Sequence, residues 1–252
     1  MLEVQHLTKI YEDGTRALTD VSFTVADGEF VVLLGLSGSG KSTLLRCLNR
    51  LIEPTSGRII FDGVDVTAAS YAELRRIRRS IAMIFQQFNL VERSSVLTNV
   101  LSGRLGYLNP ITSALGWFPQ EEVERAMRNL ERVGIADKAY QRARALSGGQ
   151  QQRVGIARAL MQEPRLILAD EPVASLDPVL AHSILRYLEQ LNREDNLTVI
   201  CSLHIPSWAR RYGTRILALK EGRLVYDGPP AALDRQRFQE IYGPEAEEVE
   251  IV

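Results

Sequence analysis

A glycine-rich stretch between an apolar strand and a helix constrains the fold of this chain more than any other feature. Residues 31–34 are all apolar, as in a strand buried on both faces of a sheet, and a helical pattern begins at Lys41. The intervening "GLSGSGKS" fits the pattern G-x-x-x-x-G-K-[ST] through Gly35, Gly40, Lys41 and Ser42. A loop of this composition between a strand and a helix predicts a phosphate site.

Each residue type in this loop has a chemical reason. Glycines let the backbone wrap a β-phosphate and direct several N–H groups at it. We expect Lys41 to reach the β- and γ-phosphates and the Ser42 hydroxyl to bind Mg²⁺. The other expected contacts of the loop are Ser37, Gly38, Ser39 and Thr43. The alternative is an ordinary glycine-rich turn.

A pair of carboxylates follows a second apolar strand, in "LILADEP". The strand delivers Asp170 to its carboxyl end, where α/β sheets bind ligands, and Glu171 comes next. Asp170 is expected to bind or orient the Mg²⁺ shell, and Glu171 to act as general base on the attacking water. Because side chains alternate along a strand, both can serve one site only if the chain turns after Asp170, which Pro172 would favour.

Strands and helices alternate on both sides of a helical stretch, which predicts an α/β fold with a largely parallel sheet. Between about residues 87 and 161 the sequence has helix spacing and hardly any strand pattern, so we expect an inserted helical subdomain there. Residues 230–252 are expected to form a short helical tail whose acidic end, "EAEEVE", is loosely held.

Composition excludes several classes of protein. The 252 residues carry 30 Lys and Arg against 31 Asp and Glu, so the basic footprint of a nucleic-acid binder is missing. The basic stretch "ELRRIRRS" is expected to be a solvated helix face, with docking as the alternative. Two distant cysteines indicate neither a disulfide framework nor a zinc site and fit a reducing compartment. No apolar run approaches the ~20 residues of a membrane span.

A second glycine turn, "LSGGQ" at residues 146–150, enters a helix without a following lysine. The helix start offers N–H groups and a partial positive charge, enough to recognise a phosphate that is held elsewhere but too little to hold one alone. The alternative is a helix cap made by Ser147, with glycines for the turn.

The motifs "GLSGSGKS", "LSGGQQQR", "LILADEP", "SLD" and "LH" occur in the order and spacing of the ATP-binding cassette (ABC) ATPases, which residues 2–229 resemble. The resemblance implies a P-loop NTPase core of ABC type in residues 1–229, with a mainly parallel sheet, an antiparallel β subdomain and the helical insertion. It also implies that two chains sandwich two ATP molecules head to tail. The residues that would contact the partner's γ-phosphate are Ser147, Gly148, Gly149 and Gln150.

Four further residues match the family one at a time. Gln86 matches the glutamine that joins the metal and water site to the helical subdomain, and Tyr11 the aromatic that stacks on adenine. Asp177 matches the loop that communicates across the dimer, although it could simply cap a helix before a proline. His204 matches the histidine at the γ-phosphate; Ile205 and Pro206 after it depart from the polar residue that is usual in the family.

The stretches "FQQFNLVERSS", "NVLSGRLG", "LGWFP", "VASLDP" and "VYDGPP" resemble the phosphonate importer ATPases. The resemblance implies an importer subunit at the cytoplasmic face of the cell membrane, with a separate permease and a substrate-binding protein. Phosphonates or a related oxyanion such as phosphite would be the cargo. The apolar segment with Tyr107, Leu108, Ile111, Leu115, Trp117 and Phe118 could be subdomain core or take a permease helix, and we expect core for most of it.

Other functions remain as alternatives at this point. A polar amino-acid importer ATPase would share "FQQFNL" but not the "GRLG…GWFP" insertion. A soluble ABC ATPase acting on DNA or ribosomes would be expected to carry coiled coils or a second cassette. A small-molecule kinase would explain the phosphate loop but neither "LSGGQ" nor His204.

Overall fold

The computed structural model describes residues 1–114 and 116–243. Among them, ten strands form two sheets. The smaller sheet is antiparallel, in the order β2-β1-β4-β5. Its strands are β1 (Leu2–Ile10), β2 (Arg16–Val25), β4 (Ser56–Phe61) and β5 (Val64–Asp65).

The larger sheet has the order β10-β9-β3-β8-β7-β6. Its strands are β3 (Phe30–Leu34), β6 (Ile81–Ile84), β7 (Leu166–Ala169), β8 (Thr198–Ser202), β9 (Arg215–Lys220) and β10 (Arg223–Gly228). All pairings are parallel except that of β9 with β10. Ile84 pairs with Ala169 and Leu33 with Ser202, so these strands end at one common edge.

The described helices surround this sheet and fill the stretch between β6 and β7. They are α1 (Lys41–Leu48), α2 (Tyr71–Ser80), α3 (Val96–Leu101), α4 (Pro110–Ala114), α5 (Gln120–Arg132), α6 (Gly148–Leu160), α7 (Pro178–Asp195), α8 (Pro206–Tyr212) and α9 (Arg235–Tyr242). Several begin where polar side chains cap them, as Ser70 and Glu73 do at α2 with a reciprocal pair of hydrogen bonds. In residues 1–114 and 116–243, no helix combines the length and the apolar character needed to cross a bilayer.

Strand β3 separates two hydrophobic cores. Phe30, Val32 and Leu34 belong to the core shared with α3, α5, α6 and α7, whereas Val31 and Leu33 belong to the core shared with α1 and the antiparallel sheet. Because successive side chains of a strand point to opposite faces, one apolar run serves both cores. This confirms the expectation that the strand is buried on both faces.

Between residues 87 and 161 the described residues contain α3 to α6 and no strand, apart from one isolated bridge between Ser95 and Arg142. Helix α6 packs on both α3 and α5. Beyond β10 the chain forms α9, with Phe238 and Ile241 buried. The acidic end expected for the tail lies outside the described residues.

The expectation that the apolar segment is mostly core was wrong. Ile111 and Trp117 are 72% and 73% exposed, and Tyr107 is also at the surface. Helix α4 has only five residues, too few to cover both sides of such a segment, and only Phe118 packs against the main core as a partly buried side chain. Leu108 is half-buried, and Leu115 lies outside the described residues.

Candidate functional site

The loop between β3 and α1 has a backbone that requires glycine at its two ends. Gly35 and Gly40 have φ angles of 141° and 105°, a region that other residues rarely adopt. A Cβ at Gly35 would lie 2.2 Å from the Leu219 carbonyl oxygen, and one at Gly40 would lie 2.4 Å from that of Ala17. The loop is therefore held tightly at both ends and curves between them.

This loop has an exposed turn and a buried residue beneath it. Ser37 and Gly38 are exposed at its turn, whereas Ser39 is buried beneath it. The Ser39 carbonyl accepts a hydrogen bond from the Gly222 N–H at 3.1 Å, in the turn between β9 and β10. Helix α1 then starts without a side-chain cap, so the N–H groups of its first turn have no side chain competing for them. Such a loop at a helix N-terminus is suited to binding phosphate.

Lys41 is a buried cation inside the curve of the loop. Its Nζ donates to the carbonyl oxygens of Gly35 and Leu36, at 2.8 and 2.9 Å. Burial lowers the pKa of Lys41, while the carboxylates of Glu171 and Asp170 act in the opposite direction. A buried ammonium beside a cradle of backbone N–H groups fits a polyphosphate.

Asp170 lies at the carboxyl end of β7 and is almost fully buried. The Ser42 hydroxyl donates to its Oδ1 at 2.8 Å, and the Arg46 guanidinium donates to Oδ2 at 3.3 Å. A hydroxyl and a carboxylate side by side are the hard oxygen ligands that Mg²⁺ uses together with waters and substrate phosphates. Across the described residues, no cluster of three His, Cys, Asp or Glu could form a metal cage from protein ligands alone.

The chain turns at Glu171, directly after β7, as the sequence of the two adjacent carboxylates predicted. Its φ is 47°, in the left-handed region, and its N–H donates to the Ser202 hydroxyl at 2.8 Å. This turn brings the Glu171 Oε1 to 2.5 Å from the His204 Nε2. A strained backbone at the end of a strand is typical of functional positions.

His204 follows β8 and precedes α8, which starts at Pro206. Pro206 occupies the first turn of α8, where its missing N–H costs no hydrogen bond. Ile205 and Pro206, which depart from the usual family pattern, therefore lie at the start of a helix. The His204 imidazole still contacts the Glu171 carboxylate.

Tyr11 and Gln86 come from different parts of the fold: Tyr11 follows a strand of the antiparallel sheet, and Gln86 follows a strand of the large sheet. Tyr11 follows β1, and its hydroxyl is 3.1 Å from the Thr43 Oγ1 in the first turn of α1, with part of the ring exposed. Gln86 is exposed two residues beyond β6, whose last residue, Ile84, accepts a hydrogen bond from the Asp170 N–H. Tyr11 therefore lies beside the helix that follows the phosphate loop, and Gln86 follows a strand that ends at the same edge of the large sheet as that loop.

The "LSGGQ" motif forms a separate surface. Ser147 caps α6: its Oγ accepts from the Gln150 N–H at 3.4 Å, and its own N–H donates to the Gln150 Oε1 at 3.0 Å. Ser147 is exposed and Gly148 half-buried, while a Cβ at Gly149 would lie 2.8 Å from a methyl of Leu180 in α7. Among the described residues, no hydrogen bond or ion pair joins this motif to the phosphate loop.

Asp177 caps α7, the helix that Gly149 contacts. Its Oδ1 accepts from the N–H groups of Val179 and Leu180, both at 3.1 Å. The capping interpretations of Ser147 and Asp177 are thus both realised, and capping leaves the exposed Ser147 hydroxyl proton free for another acceptor.

Two residues at the site were not found from the sequence. Ser202 accepts from the Glu171 N–H and lies 3.4 Å from the Asp170 Oδ1, while Arg46 reaches the same carboxylate. The spacing of Arg46, four residues after Ser42 on one helix face, could have indicated it. Ser202 depends on the register of β7 with β8, which no local pattern reveals.

Comparisons with known proteins identify the family. The model of the ABC transporter family matches residues 18–174. A phosphonates import ATP-binding protein (PhnC 3) of Halalkalibacterium halodurans is 49% identical over all of this chain and 98% of its own length. A phosphonates import ATP-binding protein (PhnC) of Shouchella clausii is 52% identical, over all of this chain and 95% of that protein.

Solved structures show the same fold. The dimeric ATP-binding cassette MJ0796, in a post-hydrolysis state with ADP and Pi, has a TM-score of 0.81 and 37% identity and covers 91% of this chain and 99% of its own. The ADP conformation of the cassette MJ1267 has a TM-score of 0.83 and 30% identity, covering 97% and 99%. This chain is therefore an ABC transporter ATPase and belongs to that family.

Proposed function

We propose that this chain is the ATP-hydrolysing subunit of an ABC importer that takes up phosphonates, or a related phosphorus oxyanion such as phosphite, through a separate permease. The observation that carries the proposal is identity of about half the residues, along the whole chain, to proteins named for phosphonate import. The match includes the region of the insertion, so it extends beyond the motifs that all such ATPases share.

The phosphate loop would hold the nucleotide. The backbone from Gly35 to Gly40 is curved and fixed at both ends, and the buried Lys41 ammonium lies inside it. A β- or γ-phosphate entering the loop would replace the carbonyl partners of Lys41 with a charged acceptor, which makes a stronger hydrogen bond. The Tyr11 ring would stack on adenine, and its partial exposure beside Thr43 supports this. The remaining nucleotide contacts would come from Ser37, Gly38, Ser39 and Ser42.

Ser42 and Asp170 would hold Mg²⁺, with Gln86 approaching from the end of β6. The Ser42 hydroxyl is already beside the Asp170 carboxylate, and Arg46 and Ser202 hold that carboxylate in place. When bound, Mg²⁺ would neutralise charge that builds up on the phosphates.

Glu171 would take a proton from the attacking water as general base, and His204 would contact the γ-phosphate. The left-handed turn directs the Glu171 carboxylate out of the sheet, and the His204 imidazole restricts its position. A base fixed in this way needs little reorganisation before the proton moves.

A second copy of the chain would complete each site. The motif of residues 147–150 would bind the γ-phosphate held by the partner's loop, with Asp177 close to the same junction. The dimeric cassette bound to ADP and Pi supports this arrangement. So does the ordered start of α6, which offers N–H groups and the Ser147 hydroxyl without a cation of its own.

The permease and a substrate-binding protein would complete the importer, with this subunit at the cytoplasmic face of the cell membrane. Residues 1–229 would form the ATPase domain, with residues 87–161 as its helical subdomain and residues 230–252 as a tail. The exposed side chains of Ile111 and Trp117 support a permease contact on the helical subdomain, because large apolar groups of this kind favour an interface.

A growth experiment tests the function. A strain without this gene should grow on inorganic phosphate but not on methylphosphonate as the only phosphorus source, and wild-type protein should restore growth. Glu171→Gln expressed at the same level is the matched control and should not restore it. Full growth of the deletion strain on methylphosphonate and on phosphite, with no other importer present, would contradict the proposal.

A further inference from the structure

A cleft of about 580 Å³ lies between α7 and the ends of α5 and α6, away from the phosphate loop. One wall is a single face of α7, with residues at helical spacing from Val179 to Gln190. The other wall contains Arg132 and Val133 at the end of α5 and Arg153 in α6. The volume is within the range of small-molecule sites, which is about 300–1,000 Å³.

Positive charge dominates the lining of this cleft. Arg132, Arg153 and Arg186 contribute guanidinium groups, and no carboxylate is among the described lining residues. Arg132 is paired with Asp195 at one end. Neither Arg153 nor Arg186 forms an ion pair with any acid in the described part of the chain, so two guanidinium groups keep an uncompensated charge.

The nearby acids are already engaged. Glu189, three residues after Arg186 on α7, pairs with Arg193 and Arg211. Asp195 is the partner of Arg132. An anion from solution would therefore meet arginines without displacing a carboxylate from Arg186.

Polar groups in the wall add directional contacts. Arg153 reaches across the cleft and donates to the Ser183 hydroxyl at 2.9 Å and to the Val133 carbonyl at 2.6 Å. The Tyr187 hydroxyl is shielded from solvent; burial raises its pKa, and Arg132 lies close enough to donate a hydrogen bond to its oxygen, which acts in the opposite direction. The hydroxyl proton itself has no acceptor within the described residues, and an oxyanion in the cleft would provide one.

We propose that this cleft binds a phosphorus oxyanion, either free phosphate or a small phosphonate, between the guanidinium groups of Arg153 and Arg186. Guanidinium groups match the geometry of such oxyanions, and the volume leaves room for an organic substituent beside Val179 and Ile184. Arg153 belongs to α6, which starts at the "LSGGQ" motif, and Arg186 to α7, which starts at Asp177. A bound anion would tie these two helices together and slow ATP hydrolysis.

Calorimetry tests the site directly. The full-length protein is first saturated with Mg²⁺ and ADP, so that the phosphate loop is filled, and then titrated with ethylphosphonate or with inorganic phosphate. Arg186→Gln should weaken binding by at least about tenfold, because one charged hydrogen bond is lost. Arg235→Gln, which removes the same charge from an exposed position on α9 outside the cleft, should leave binding within about twofold. The tighter of the two probes identifies the source of the ligand.

The same variants test the effect on turnover. Millimolar amounts of the tighter probe should lower the initial rate of ATP hydrolysis in wild type and in Arg235→Gln, and not in Arg186→Gln. Absence of binding for both probes would overturn the proposal, as would equal weakening in the two variants or inhibition that persists in Arg186→Gln. Neither measurement involves transport, so failure here leaves the growth result intact, and a failed growth test leaves this site intact.

Discussion

Ser202 accepts a hydrogen bond from the backbone of Glu171, the proposed general base, and replacing Ser202 by alanine tests how far that contact matters. The side chain is fully buried at the end of β8, and its oxygen accepts from the Glu171 N–H at 2.8 Å. Ser202→Ala leaves this partly buried N–H without an acceptor, in a residue whose φ is already 47°. The free energy of unfolding should fall by about 1–3 kcal/mol, the usual cost of an unpaired buried polar group.

The catalytic effect follows from the same contact. Relaxation of the Glu171 backbone would shift its carboxylate away from His204, which is 2.5 Å from it. If loss of this hydrogen bond raises the activation free energy by about 1–2 kcal/mol, kcat falls about five- to thirtyfold. ATP affinity should stay near that of wild type, because the phosphate loop is untouched. Phosphate release at saturating ATP measures kcat, and urea denaturation measures stability.

Cys201→Ala is the control for a general loss of packing. Cys201 is the neighbouring residue on β8, is fully buried, and belongs to the core on the opposite side of the strand from Ser202. The Cys201→Ala variant should have a lower free energy of unfolding, with little change in kcat. A wild-type kcat in Ser202→Ala, or equal losses of kcat in the two variants, would refute the positioning role.

Four further predictions concern the site and the surface. Glu171→Gln should abolish hydrolysis and trap an ATP-bound dimer in size-exclusion chromatography; rapid turnover by this variant would rule out the base assignment. Ser147→Arg should impair turnover while nucleotide binding by the monomer, measured by calorimetry, stays within about threefold, since the side chain is exposed and, among the described residues, makes no hydrogen bond to the phosphate loop. Burial raises the pKa of Cys47 to about 12 and raises that of Cys201 as well, so iodoacetamide at pH 8 should label neither in the folded protein and both in guanidinium; labelling of the native protein within minutes would contradict this. Trp117→Ser should change the free energy of unfolding by less than about 0.5 kcal/mol, because the ring is 73% exposed, and a loss of several kcal/mol on urea denaturation would show that the ring is packed after all.

The sequence predicted the elements that depend on neighbours in the chain. The buried strand β3, the glycine loop and the start of α1 follow from one stretch of about fifteen residues, in which the apolar run, the glycines and the helical pattern from Lys41 all favour one structure. The turn after Asp170 could likewise be inferred, because two adjacent side chains of a strand cannot face one site otherwise.

What the sequence did not reveal depends on contacts between distant segments. Ser202 meets Glu171 only because β7 and β8 pair in one particular register. Gly149 lies where α6 meets Leu180 of α7, so close that a Cβ there would displace a Leu180 methyl, and no local spacing indicates this contact. Ile111 and Trp117 have the apolar character of core residues, and only their place on a short surface helix and turn leaves them in solvent.

The reciprocal hydrogen bonds between Ser147 and Gln150 fix the start of α6 within a single chain. A docking surface that is already ordered loses little conformational entropy when another molecule arrives, so almost none of the binding energy is spent on arranging it. Assembly of two such chains would then be controlled by whether a terminal phosphate is present to bridge them, and its release after cleavage would let them separate without any refolding.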